Sequence, residues 1–119
     1  MRHRKAGRKF HRLSGERRAF IRNLASELIR REKIETTEAR AKEIRPLVER
    51  LVTIAKKQTL ASRRLLISRL HNQKVVKKLY DELGPRYEKR PGGYLRISKL
   101  SKSRKRDGSR LSRVEFVRT

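Results

Sequence analysis

The spacing of apolar residues changes once along this chain, and this change constrains the fold more than any other feature of the sequence. From residue 14 to about residue 83, apolar residues recur with the 3.6-residue period of amphipathic helices. After the linker RYEKRPGG at 86–93 the period shortens to about two, as in strands with one buried face. The pattern therefore predicts an α+β domain in which helices pack on a small sheet.

Four helices are predicted in the first part of the chain, at about 14–32, 38–57, 60–71 and 73–83. Thr36 and Thr37 are expected to cap the second helix. Pro46 falls on the polar side of that helix, where we expect a kink. Gly84-Pro85 is expected to end the fourth helix, because glycine accepts a left-handed C-cap and proline cannot continue a helix.

Two strands are predicted in the second part of the chain, at 94–100 and 111–118. A hairpin of two strands is only marginally stable alone, so it has to pack on the helices and recruit the β-prone segment 33–36 as a third strand. The predicted order is α-β-α-α-α-β-β, a two-layer domain with a small mixed sheet.

Positive charge is concentrated in two short segments. Residues 1–13 hold six Lys or Arg and no carboxylate, and residues 99–113 hold seven against the single acid Asp107. Each segment contributes +6, so together they carry half of the formal net charge of +24. We expect 1–13 to be a basic N-terminal arm and 14–119 to be one domain with a basic hairpin loop at 99–113. Charge of this density needs an external polyanion.

Several classes of protein do not fit this composition. The chain has no cysteine, and its three histidines lack metal-ligand spacing, so we expect no metal and no cofactor. Asp81 and Glu82 are sequence neighbours that point about 100° apart on a helix, so they are a poor acid and base pair. We therefore expect no enzyme and no small-molecule substrate. No apolar run of about 18 residues occurs, so we expect no membrane partner and a cytoplasmic protein.

A nucleic acid is the remaining partner, and both RNA and DNA fit the charge. Arginine forms bidentate contacts with phosphate and stacks on exposed bases, which suits RNA. The alternative is a DNA-binding protein, either nonspecific or resembling a helix-turn-helix, since the helices at 60–71 and 73–83 are closely joined and bear Arg63, Arg64 and Lys74. Helix-turn-helix proteins rarely carry basic extensions on both sides, however, and no dimer seam is evident.

Four segments resemble one known family. These are the opening MRHRKAGRKFHR, the segment IETTEARAKE at 34–43 with Arg45, ELGPRY at 82–87, and PGGYLRISK at 91–99. They are similar to segments of the bacterial large-subunit ribosomal protein L-seventeen family, in matching order from Met1 across the whole chain. The resemblance implies a structural constituent of the large ribosomal subunit that binds 23S ribosomal RNA and lies beside other large-subunit ribosomal proteins.

The resemblance and the charge pattern together nominate the RNA-binding residues. The resemblance implies contacts from the arm, from the central segment and from the residues after Gly93: Arg2, His3, Arg4, Lys5, Arg8, Lys9, Arg12, Thr36, Thr37, Arg40, Arg96 and Lys99. The basic side of the first helix and the basic loop add Arg18, Arg22, Lys102, Arg104, Lys105, Arg106 and Arg110.

Overall fold

The computed structural model of the chain describes residues 14–103 and 108–118. Its helices are α1 (Ser14–Arg31), α2 (Glu38–Lys56), α3 (Leu60–Leu70) and α4 (Gln73–Lys78), followed by a π-helical turn (Leu79–Leu83) and a short α5 (Gly84–Arg86). Its strands are β1 (Lys33–Thr37), β2 (Leu95–Ser103) and β3 (Arg110–Phe116). The α+β fold predicted from the change of period is confirmed.

The three strands form one sheet in the order β1-β3-β2, with the predicted 33–36 segment as the third strand. Both pairs are antiparallel, so the expectation of a mixed sheet was wrong. The reason is that β1 pairs with the returning strand β3, on the side opposite β2, and runs against it. The strands extend further into the basic run than the pattern predicted, and the β2–β3 register is irregular between Lys99 and Ser103.

Side-chain caps explain where the helices begin. The Thr37 hydroxyl accepts a hydrogen bond from the Arg40 backbone N–H at 3.3 Å, which starts α2 directly after β1. Thr59 and Ser62 form a reciprocal capping box at the start of α3. His71 ends α3 in the left-handed conformation with φ 55°, and Asn72 then caps α4. The predicted capping role of Thr37 is thus confirmed.

The prediction that Gly84-Pro85 ends the helix was wrong, because the chain stays helical through both residues. Gly84 is right-handed, with φ −56°, and its N–H donates to the Leu79 carbonyl of the π-helical turn. Pro85 lies in the first turn of α5, where its missing N–H costs little. Glycine is needed here for close packing instead, because a Cβ at position 84 would lie 2.8 Å from the Ala55 carbonyl oxygen of α2.

Helix α2 is the centre of the apolar core, because it contacts α1, α3, α5, the π-helical turn and all three strands. Ile44 and Val48 are fully buried on the stripe that the 3.6-residue period predicts, and Val52, one turn further along, is fully buried as well. Pro46 is exposed, on the polar side as expected, and α2 continues through it. On that polar side two i, i+4 ion pairs form, Glu38–Lys42 at 3.0 Å and Arg45–Glu49 at 3.9 Å.

Three aromatic residues fix the linker and the sheet to the helices. The ring of Tyr87 lies 5.4 Å from that of Tyr94 and 6.1 Å from that of Phe116. Tyr87 donates a hydrogen bond to the Val117 carbonyl at 2.5 Å, and Tyr94 accepts one from the Lys56 ammonium at 3.0 Å. Buried tyrosines that also satisfy their hydroxyls hold a single arrangement of the two layers.

A cluster around Glu32 joins the end of α1 to the segment that follows α4. The Glu32 carboxylate accepts from the Arg86 guanidinium and forms an ion pair with Lys78 at 3.1 Å. Its backbone carbonyl accepts from the Phe116 N–H at 3.0 Å. The hydrogen bond from Arg86, helped by Lys78, lowers the pKa of Glu32 to about 2.

We predict that Gly84→Ala destabilises the protein. Helix propensity alone would favour alanine by about 1 kcal/mol. The added Cβ would meet backbone atoms of Ala55 at 2.8 and 3.0 Å, and overpacking of this kind costs about 1–3 kcal/mol. Urea unfolding measures the difference. Gly15→Ala in α1 is the matched control, because no atom lies within 4 Å of its Cβ, and it should be neutral or stabilising. An equal gain for both variants would contradict the close packing.

We predict that Glu32 contributes stability that is lost in acid. Its pKa is lowered in the folded state, so the contribution is present above the unfolded pKa of about 4.5 and disappears as the pH falls towards about 2. Glu32→Gln should therefore lower the melting temperature at pH 7, and the difference should vanish near pH 2. Glu27→Gln, which removes the acid partner of the largely exposed Arg30 and Arg31, is the control and should change stability less. A constant difference across this range would be inconsistent with the ion cluster.

Candidate nucleic-acid interface

The structure locates eight of the predicted RNA-binding side chains, namely Arg18, Arg22, Thr36, Thr37, Arg40, Arg96, Lys99 and Arg110. The others lie outside the described residues: Arg2, His3, Arg4, Lys5, Arg8, Lys9, Arg12, Arg104, Lys105 and Arg106. Lys102 belongs to β2, but its side chain is likewise outside the described part. The arm and the tip of the hairpin therefore stay predictions from sequence.

The two threonines of the central segment face the protein. Thr36 is 8% exposed, on the side of β1 that packs on the helices, opposite Ser112 of β3. Thr37 uses its hydroxyl oxygen to cap α2. Both side chains thus have local structural tasks, and Thr36 has little surface left for an RNA contact.

Arg40 lies in a groove between α1 and β1. Its guanidinium carbon is 4.9 Å from the centre of the Phe20 ring, a cation–π distance. Leu24 and Ile34 also line this groove of about 680 Å³. The other charged residues of its lining are the cations Arg31, Lys33 and Arg113 and the carboxylates Glu27 and Glu35. Those acids are already paired, Glu27 with Arg30 and Arg31 and Glu35 with Arg113, so positive charge in the groove is partly neutralised within the protein.

The predicted cations of the sheet lie beside acids, but most of each side chain remains exposed to solvent. Arg96 is 3.6 Å from Glu115 on the neighbouring strand, and its side chain is 61% exposed. Lys99 is 4.0 Å from Glu38, and its side chain is 71% exposed. Lys42, and more weakly Lys99 and Arg110, lower the pKa of Glu38. Exposed pairs of this kind are weak, so these cations can exchange their acids for phosphate at little cost.

Arg18 and Arg22 lie together in a third place, which we call the α1–α3 cleft. It is lined by the start of α1, the middle of α2 and the end of α3, with a volume of about 730 Å³. Its described lining residues are Gly15, Arg17, Arg18, Ile21, Arg22, Leu47, Leu51, Ser68, Arg69, Leu70 and His71. One turn of helix separates Arg18 from Arg22, so both guanidinium groups project to the same side.

The sequence analysis did not predict three further residues of this cleft. Arg17 was hidden in a run of basic residues, and Arg69 and His71 lie about fifty residues further along the chain. His71 is exposed and is the left-handed C-cap of α3. No local signal places the end of α3 beside the start of α1, because that neighbourhood comes from the packing of both helices on α2.

The α1–α3 cleft differs from the other two places in its charge balance. Its described lining includes four arginines and no carboxylate. Within the described part of the chain, none of Arg17, Arg18, Arg22 and Arg69 forms an ion pair. Unneutralised guanidinium groups around a concave surface concentrate anions, and their planar forks match phosphate oxygens.

Residues 14–103 and 108–118 contain neither a candidate metal site nor a membrane-spanning helix. No group of three or more His, Asp or Glu side chains there could hold a metal ion. None of the described helices has the length and apolar character needed to cross a bilayer.

Comparison with known proteins identifies the family. A sequence model of the family described as Ribosomal protein L17 matches residues 20–117. The large ribosomal subunit protein bL17 of Gemmatimonas aurantiaca is 50% identical over 117 residues, covering 98% of each chain. Both matches extend across helices and sheet, so the chain belongs to the ribosomal protein L17 family.

Proposed function

We propose that this protein is a structural constituent of the large ribosomal subunit in the bacterial cytoplasm and that it binds 23S ribosomal RNA. The observation that carries the proposal is the family membership, since a relative with 50% identity over nearly the full length is a large ribosomal subunit protein by name. The excess of positive charge supports the RNA contact. Neighbouring ribosomal proteins are the second class of partner.

The mechanism that we propose is electrostatic bracing. The helices and the sheet connect three groups of cations. These are the arm that precedes α1, the hairpin tip between β2 and β3, and the α1–α3 cleft. Cations that contact separate RNA helices neutralise the repulsion between those helices. No reacting group is required, so the role is structural and not catalytic.

A role in binding double-stranded DNA gains no specific support from the helices at 60–71 and 73–83. Helix α4 is only six residues long before the π-helical turn, which is short for a recognition helix. Arg63 of α3 packs over the Tyr80 ring at 5.6 Å, so this cation is engaged inside the protein.

We predict that removal of residues 1–12 leaves the fold nearly unchanged but weakens attachment to the ribosome. All the buried apolar residues of the described core lie between positions 25 and 116, so the melting temperature should hardly change. The truncated chain should leave purified large subunits at a lower salt concentration than the full chain, as measured by cosedimentation. Substituting Gln for the six Lys and Arg of the arm gives a control of full length and should behave like the truncation. Equal retention of all three proteins would contradict the proposed role of the arm.

We also predict a preference for structured RNA over duplex DNA. In a filter-binding competition at about 0.15 M salt, a fragment of 23S ribosomal RNA should displace a labelled duplex DNA of equal length, whereas the reverse should need a large excess. The RNA preference is expected because the arginines can stack on unpaired bases, which a regular duplex does not offer. Tighter binding to the DNA would support the alternative function.

A further inference from the structure

The α1–α3 cleft combines two properties that a plain phosphate site does not need. Its floor is apolar and is formed by Ile21, Leu47, Leu51 and Leu70. Leu51 and Leu70 are buried, but Ile21 and Leu47 are only partly covered, so aliphatic surface faces the opening. The guanidinium groups of the cleft belong to the other lining residues Arg17, Arg18, Arg22 and Arg69. A ligand that fills the cleft therefore needs an apolar part as well as negative charge.

We infer that the α1–α3 cleft binds one unstacked nucleotide of the RNA, with the base on the apolar floor and the flanking phosphates on the arginines. The inference rests on the proposed function and specifies one of its contacts. A base that leaves its helix exposes a π-face that packs on apolar side chains or on guanidinium planes. The volume of about 730 Å³ falls within the range of about 300–1,000 Å³ usual for sites that enclose small ligands.

The positive charge of the cleft favours RNA over the other possible occupants. Four described arginines without an acid partner repel one another, and a phosphate chain supplies the regular negative charge that neutralises several of them together. An apolar helix from a protein partner would leave those cations desolvated and unpaired, which is costly. A regular RNA duplex offers phosphates but keeps its bases stacked, so it would leave the aliphatic floor uncovered.

The test compares three RNA hairpins that differ at one position: one with a single bulged uridine, one without the bulge, and one with an abasic bulge. The full-length protein should bind the bulged hairpin about 5- to 10-fold more tightly than the other two, the lower part of the range measured for base stacking. Fluorescence anisotropy at fixed salt measures the three affinities. Equal affinity for all three hairpins would overturn the inference.

Paired charge variants localise the effect to the cleft. Arg22→Gln with Arg69→Gln should remove the preference for the bulged hairpin, because both arginines line the cleft. Arg50→Gln with Arg64→Gln removes the same charge from exposed positions of α2 and α3 outside the cleft and should keep the preference. Equal melting temperatures establish that both variants are folded. A cleft variant that still prefers the bulge would overturn the inference.

A fluorescent reporter gives an independent readout, since the chain has no tryptophan. Ser68 is an exposed residue of the cleft lining, so the fluorescence of Ser68→Trp should be quenched by the bulged hairpin and not by the abasic one. Lys57→Trp, exposed and outside the lining, should respond equally to both hairpins. Quenching of Ser68→Trp by a polyglutamate peptide, with no difference between the hairpins, would assign the cleft to an acidic protein partner and overturn the inference.

The outcomes separate this inference from the proposed function. Normal attachment to large subunits with no discrimination between hairpins would refute only the nucleotide site. Failure to bind any of the hairpins or the large subunit would refute both.

Discussion

Burial of one apolar face of α2 is the interaction on which the rest of the structure depends. The stripe that includes Ile44, Val48 and Val52 is the surface on which apolar residues of the other helices and of the sheet meet. This core has to hold the chain together against the self-repulsion of a formal charge of +24. The aromatic contacts of Tyr87 and the ion cluster of Glu32 then fix the linker and the end of α1 to that core.

The few acids of the chain are placed where the fold needs them. Glu32 holds Arg86 and Lys78 at the junction of α1 and α5, and Glu27, Glu35 and Glu115 each neutralise cations beside the sheet or along α1. The α1–α3 cleft has no such acid among its described lining residues. This distribution separates the cations that acids neutralise within the protein from those without an acid partner among the described residues.

The sequence predicted most of the fold because the main determinants are local. Period and capping residues located the helices, and the β-prone segment at 33–36 was correctly expected to join the sheet. The π-helical turn was not predicted, because it shifts the phase of the apolar pattern along the helix by only one residue. The role of Gly84 was predicted wrongly, because the sequence does not show that the backbone at position 84 packs closely against the backbone of Ala55.

The candidate interface was less predictable, because its residues are brought together by contacts between distant parts of the chain. Arg18 and Arg22 could be found as a helical pair, but Arg69 and His71 reach the same cleft only through packing between distant parts of the chain. The resemblance predicted an RNA contact for Thr36. Its side chain is buried in the sheet, so it has a structural role there.

We propose that the surplus cations of this fold are neutralised by RNA phosphates. The most direct test is the salt dependence of its affinity for 23S ribosomal RNA. With roughly ten phosphates neutralised, the logarithm of the association constant should fall with the logarithm of salt concentration at a slope of about −7 to −9. A slope close to zero would contradict the account.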